Sequence, residues 1–394
     1  MLSADYNKPR SSRADRVRPF YVMDLLARAK QLEAEGRSVL HLEVGEPDFP
    51  TPQPVIEAGI RALQARLTHY TPALGLPELR RAIADYYNEK FNIVIEPRRI
   101  IVTTGASGAL QLALAVLVDT GDRVLLTDPG YPCNRNMIRL LGAECTDVAV
   151  GPESHYQLQA AHIEHYWDDS TVAAMIASPS NPTGTMISVA ELQALIEAVD
   201  AKGGSLIVDE IYQGLVYAGR DHTALALSDN AIVINSFSKL FGMTGWRLGW
   251  MVVPENYIDA IDRVAQNLFL APPTVSQYAA LAAFETETLE ILQRRVETFR
   301  QRRDFLLPAL RAMGFVIPVE PEGAFYVYAD CSAITPDAFS WCHDLLEVEG
   351  VAVTPGIDFG ENAAARHVRF AYTRPVEELE KACSRISKHI KNSS

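Results

Sequence analysis

Across 394 residues no apolar run approaches the roughly 18 that a membrane-spanning helix requires. The opening residues, Met1-Leu2-Ser3-Ala4-Asp5, lead into a stretch that stays polar to Val17, without the apolar core of an export signal. Basic charge is scarce. Lys and Arg number 36 against 49 Asp and Glu, and the net charge of −13 argues against nucleic acid or an anionic membrane as the partner. Cysteine is scarce too. The five, at 133, 145, 331, 342 and 383, form no CxxC pair. An odd and loosely spaced set predicts reduced thiols in a cytoplasm rather than a disulfide framework. The nine histidines lack metal-ligand spacing; His162 and His165 flank Glu164 without a second cluster. No internal repeat or low-complexity segment occurs. What is present is the balance of a globular protein, 48% apolar and 22% charged, in a chain long enough for two domains.

Apolar residues recur at helical spacing over 20–35, with Gly36 as a stop, and alternate like a strand over 39–44. Short apolar and β-branched runs at 100–103, 123–127, 171–177, 206–208, 231–234 and 248–253 predict strands. Between them lie helix patterns at 107–118, 134–141 and 188–201, the last opened by a capping box of Ser188 and Glu191. This alternation predicts an α/β fold whose mostly parallel sheet is covered by helices on both faces. After about residue 285 a long arginine-rich helix precedes strand patterns at 325–328, 351–354 and 367–371 and helix patterns at 335–347 and 376–390. That part predicts a smaller α+β unit.

The segment Ser236-Phe237-Ser238-Lys239, with Arg247 eight positions after the lysine, carries the most chemistry. Lysine is the side chain that condenses with a carbonyl, and two serines with an arginine suit a phosphate dianion. One segment can therefore hold both ends of pyridoxal phosphate. That cofactor needs a carboxylate beside its ring nitrogen, and Asp209 ends the apolar run 206–208, where ligands bind in parallel sheets. Tyr212 follows three residues later, and Asn181 follows another apolar strand. Gly105-Ala106-Ser107-Gly108 lies between a strand and a helix, where backbone amides cradle phosphate. Taken singly, each residue also has an ordinary structural reading. A lysine among serines is usually solvated, a strand-end Asp caps or turns, and Asn-Pro is turn chemistry. Tyr70 and Tyr131 equally suit a core, and Arg369 a strand ion pair. Thr104-Gly105-Ala106-Ser107 is also similar to the nucleotide loop of short-chain dehydrogenases. Ala109 and Gln111 stand where that loop needs glycines, and Val216 stands where a lysine should follow Tyr212.

In order along the chain come LEVGEPDFPTP at 42–52, YTPALGLPELR at 70–80, TTGASGALQL at 103–112, DPGYP at 128–132, SPSNPTG at 178–184, VDEIY at 208–212, SFSKLFGMTGWRLGW at 236–250, PEGAFYVY at 321–328 and VRFAYT at 368–373. From about Pro19 to its end the chain thereby resembles a class I/II aminotransferase of the fold-type I pyridoxal-phosphate enzymes. The resemblance implies a large cofactor-binding domain over 48–285, built on a seven-stranded type of sheet. It also implies a small domain from 19–47 and 286–394. Residues 1–18, with Lys8, Arg10, Arg13, Arg16 and Arg18, form an arm that reads either as a mobile tail or as a segment packed on a neighbouring subunit.

The same resemblance implies the roles. Lys239 holds the cofactor covalently and serves as acid and base, Asp209 pairs with the ring nitrogen, and Tyr212 and Asn181 bond the phenolic oxygen. Tyr131 stacks on the ring. Gly105, Ala106, Ser107, Ser236, Ser238 and Arg247 bind the phosphate. Tyr70 reaches the neighbouring subunit's cofactor, which implies a homodimer with shared sites. Arg369 clamps the substrate α-carboxylate, which Gly45 lets approach, with Asn181 beside it. The implied reaction is ping-pong transamination between an amino acid and a 2-oxo acid. Another reaction on the same fold, such as a carbon–sulfur β-lyase, shares these residues. No Lys or Arg lies in 266–278, and Ser107 stands where one aspartate-specific branch has a lysine. This predicts neutral aliphatic or aromatic donors, with Arg135 and Arg139 as the cations able to reverse that choice.

Overall fold

Seven strands, six of them apolar runs, pair into one sheet in a computed structural model that describes residues 11–393. Across the sheet the strands run Ile100–Thr103, Gly249–Val252, Ile232–Ser236, Ser205–Asp209, Thr171–Ala177, Arg123–Asp128 and Glu144–Ala149. Gly249–Val252 is antiparallel to both of its neighbours, and every other pairing is parallel. All strands except that one therefore point the same way.

Side chains sort to the two faces with the strand period of two. Val124, Leu126, Ile207, Ile232 and Ile234 join a core under the helices Gly105–Leu117 and Ile258–Leu268. Their neighbours Leu125, Leu206, Val208 and Val233 join a core under Ala160–Tyr166 and Val189–Ala201 on the other face. The α/β fold expected from the sequence is present. A third cluster, with Val55, Ile83, Tyr87, Phe237 and Trp250, packs beside the Ile100–Thr103 edge.

A second body of structure is built from both ends of the chain. Strands Tyr326–Asp330, His367–Ala371 and Thr354–Pro355 form a three-stranded antiparallel sheet. Leu40–His41 pairs in parallel with Val351–Ala352. Leu40 and Leu42 share one buried cluster with Phe315, Val327, Phe370 and Ile386. The strand expected over 39–44 is only two residues long. Beyond it Leu42 bridges two sheets, donating to Ala352 O at 2.9 Å and accepting from Ala371 N at 2.8 Å.

Several boundaries differ from expectation for local reasons. The helix expected from 107 opens at Gly105, whose positive φ of 78° turns the strand directly into a helix. Pro132 opens the helix Pro132–Leu141, since a first-turn proline loses no hydrogen bond. Asp337 caps Ala338–Glu349 by accepting from Phe339 N at 3.0 Å, and left-handed Gly350 stops it. Of the basic arm, Lys8 and Arg10 lie outside the described residues. Two of the others pair within the chain, Arg16 with Glu144 at 2.6 Å and Arg18 with Glu361 at 2.7 Å. Among the described residues no helix is long and apolar enough to cross a membrane.

Candidate active site

Because the strands share one direction, Thr103, Asp128, Ala177, Asp209 and Ser236 end on the same edge of the sheet. A cleft of about 280 Å³ opens there, between that edge and the body formed by the chain ends. Of the fourteen residues singled out from the sequence, twelve line it: Gly45, Ala106, Ser107, Tyr131, Asn181, Asp209, Tyr212, Ser236, Ser238, Lys239, Arg247 and Arg369. Gly105 lies just behind, where an added Cβ would come within 2.9 Å of Arg247 Nη2. Tyr70 does not join them. It is 82% exposed on its own chain.

Lys239 donates from Nζ to the carbonyl of Gly45 at 2.6 Å. Burial lowers its amine to about 8; Glu46 and Asp209 resist that shift, and Arg369 and Arg247 add to it. A lysine in this state is half deprotonated at about pH 8, so it gives up its proton far more readily than a solvated one, as a nucleophile or general base requires. Burial raises the Asp209 carboxyl to about 6, opposed by the Ile211 N–H at 3.0 Å and the charge of Lys239. Tyr212 and Tyr326 share a hydrogen bond between hydroxyls at 2.7 Å.

One end of the cleft is a set of donors. The first-turn amides of a helix have no partner within it, and Ala106 and Ser107 supply two of these. The Ser236 hydroxyl donates to Ser238 Oγ at 3.0 Å. Arg247 is held in the left-handed region, φ 55°, an uncommon state for a bulky residue that the surrounding fold must enforce. At the opposite end Arg369 is 3% exposed. It donates to Asn181 Oδ1 at 2.8 Å, to Thr354 Oγ1 at 3.2 Å and to the Glu43 carbonyl. The Tyr326 ring lies 4.3 Å from the guanidinium carbon and the Phe359 ring 4.8 Å. Its Nε is buried without a partner.

Gly45 has a steric reason. A Cβ there would sit 1.8 Å from the Tyr326 hydroxyl. Tyr326 itself was not among the residues singled out from the sequence, although it lies in the PEGAFYVY segment. An aromatic after Gly-Ala in a strand reads as core until the fold sets it against both Tyr212 and Arg369. Cys133, Met137 and Met175, with Val22 and Met23 from the helix Tyr21–Ala34 and Phe20 just before it, complete a largely apolar wall. Arg135 is not free to enter. It pairs with Asp147 and donates to Phe359 O at 2.9 Å and to Thr127 O at 3.0 Å. Arg139 does not line the cleft, so its cations among the described residues are Lys239, Arg247 and Arg369.

The class I and II aminotransferase family model matches residues 37–386. The chain is 41% identical to a valine–pyruvate aminotransferase of Mycobacterium tuberculosis, over 94% of this chain and 96% of that one. It is 33% identical to an aspartate aminotransferase of Bacillus subtilis, over 98% and 99% of the two chains. Among solved structures, an aminotransferase from Mycobacterium tuberculosis superposes with a TM-score of 0.94 at 39% identity, covering 98% of this chain and all of that one. The chain belongs to the class I and II aminotransferases, enzymes that transfer amino groups and generally depend on pyridoxal phosphate.

Proposed function

We propose that the protein transfers the amino group of a neutral amino acid, aliphatic or aromatic, to a 2-oxo acid by a ping-pong route, and that the cleft at the strand ends is where it does so. The observation that carries this reading is the alignment of a depressed lysine, a buried carboxylate, a donor cradle and a buried arginine within one cleft.

The donor set suits pyridoxal phosphate. Ala106 and Ser107 amides, with Ser236, Ser238 and Arg247, would hold its phosphate, and Gly105 leaves the room that Arg247 needs. Lys239 would take its aldehyde, Tyr131 would stack on its ring, Asp209 would face its ring nitrogen, and Asn181 and Tyr212 its phenolic oxygen. When bound, the cofactor supplies a carbonyl for the amino group and an electron-poor ring to stabilise charge at the substrate α-carbon. The rest falls to this chain. Lys239 would take a proton from the substrate α-carbon as its free amine and, as the ammonium ion, hold it for delivery to the carbon that accepts the amino group. Asp209 keeps the ring end positively charged. Arg369 binds the substrate α-carboxylate through its planar fork and so orients the α-hydrogen toward Lys239. The product leaves as a 2-oxo acid before the second substrate enters. Pyruvate or 2-oxoglutarate is the acceptor we propose, and of the two pyruvate brings no second carboxylate to the apolar wall. The division into a domain over 48–285 and another from 19–47 and 286–394 is supported by buried clusters that follow it for most of their members, with Tyr212 and Leu215 joining the cluster of the chain ends and Leu292 that of the large sheet's edge.

With Arg247 at the donor cradle and Arg369 on the α-carboxylate, no further cation faces the apolar wall. An unpaired side-chain carboxylate in such a pocket costs more than the roughly 1–3 kcal/mol of an unsatisfied neutral polar group, about tenfold or more in affinity. Specificity constants should therefore be higher for valine, leucine or phenylalanine than for aspartate. An aspartate value above all three would mean that a further cation reaches the site. The 41% identity to the valine–pyruvate enzyme, against 33% to the aspartate enzyme, points the same way.

Tyr70, exposed on its own chain, is proposed to complete the site of a second copy in a homodimer. Mixing Lys239→Ala chains with Tyr70→Phe chains should yield hybrid dimers with one unaltered site and recover activity that the two homodimers lack. A fully active monomer at assay concentration would refute the shared site.

A further inference from the structure

Behind Arg369 lies a charged pair that the reaction outlined above does not use. Glu43 is fully buried. Its Oε1 lies 2.7 Å from His41 Nδ1, and its Oε2 is buried with no hydrogen-bond partner. A buried carboxylate with half its hydrogen bonding unmet is costly to keep ionised without a counter-charge. His41 is placed to supply one. It lies on the wall of a surface pocket of about 490 Å³, with Nε2 3.2 Å from Glu33 Oε1. The groups around that pocket come from three segments. Lys30 and Glu33 belong to the helix Tyr21–Ala34, Glu46 and Asp48 to the loop after Glu43, and Arg374 and Glu378 to the entry of the last helix. With Glu43 the acids outnumber the bases, which favours the imidazolium form. The His41 pKa lies above its ordinary 6.5, chiefly through the hydrogen bond to Glu43, with burial opposing and the charges of Glu43 and Glu33 assisting.

The backbone of the same residue serves the cleft. The Glu43 carbonyl accepts from Arg369 Nη2 and from Thr354 Oγ1, the latter at 3.0 Å. Two residues on, the Gly45 carbonyl accepts from Lys239. No carboxylate of the described residues pairs with Arg369. Its place is set by neutral acceptors, among them the Glu43 carbonyl.

We propose that His41 and Glu43 are a positioning pair for the carboxylate clamp, in which the ion pair fixes residue 43 and the carbonyl of residue 43 fixes Arg369. This rests on Arg369 being the residue that binds the substrate carboxylate. The sign follows from His41. Below its pKa the imidazolium balances the buried carboxylate and the clamp is aligned. As pH rises through that raised value, Glu43 loses its counter-charge, residue 43 relaxes and the clamp loosens.

The test is calorimetric titration of the holoenzyme with isovalerate, a monocarboxylate without an amino or oxo group, at about pH 6 and about pH 9, either side of the histidine range. Charge-assisted bonds are roughly twice as strong as neutral ones, so wild-type affinity should fall about 5–10-fold more across this window than that of His41→Gln or Glu43→Gln. Other titrating groups are common to the three proteins and drop out of the comparison. Arg369→Ala should weaken binding at both pH values. Unchanged affinity there would remove the clamp itself. Weakened binding in Arg369→Ala, with the full wild-type pH dependence kept in Glu43→Gln, would leave the clamp standing and overturn the positioning role. Glu43→Gln, nearly isosteric, decides the matter even if His41→Gln does not fold.

Discussion

Lys239→Ala is expected to lower turnover by about 10⁴-fold or more, at or beyond the upper range for loss of a general acid–base group, because the same amine is also the covalent attachment. The variant should still bind pyridoxal phosphate through the donor cradle, since none of the cradle groups depends on Lys239 for position. The lysine to compare is Lys90, which is also largely removed from water. Burial pulls its pKa down too, but Tyr86 and Asp221 outweigh that and leave it raised. Lys90 Nζ sits 2.7 Å from Asp221 Oδ2 and 3.1 Å from the Tyr86 hydroxyl. It is an ammonium ion locked in a pair, whereas Lys239, brought down to about 8, releases its proton far more readily into the cleft. Borohydride reduction of the holoenzyme and peptide mapping should therefore label Lys239 alone. A label on Lys90 or any other lysine would remove the assignment.

The strands of the large sheet that the sequence betrays are those buried on both faces, because continuous Val, Ile and Leu runs have no other use in a chain this polar. Glu144–Ala149 escaped for the opposite reason. It is the outer edge strand, and Glu-Cys-Thr-Asp-Val-Ala is half solvated, so its composition matches a loop. The site was legible where chemistry forces a residue type at a strand end, as with Asp209 and Lys239. It was not legible where a role depends on two distant segments meeting. Tyr326 acquires its place from Tyr212, 114 positions away, and from Arg369. His41 and Glu43 read as part of an alternating strand, and only the burial of the carboxylate separates them from one. Tyr70 shows the converse. Its motif marks it, yet within one chain it touches nothing in the cleft.

Asp209→Ala is expected to slow the chemical step by about 10²–10³-fold, since an electrostatic contact of this kind is worth roughly 3–4 kcal/mol. The carboxylate ends the strand Ser205–Asp209 and is held by one N–H, from Ile211, at 3.0 Å. Burial lifts its pKa to about 6, so above that value it carries the negative charge that a protonated ring nitrogen needs, and below it the charge is lost. A positively charged ring nitrogen beside it lowers that value further, so the wild-type rate should fall only as pH drops below about 6, and Asp209→Ala should lose that acid limb. Asp209→Asn separates charge from shape. It keeps the size and an acceptor for the Ile211 N–H but not the charge, and should be slowed almost as much as the alanine variant. Single-turnover measurement with saturating amino acid isolates the step from product release. A near-normal single-turnover rate in Asp209→Asn would make the carboxylate a strand-end structural group and return the electron-withdrawing role to another residue.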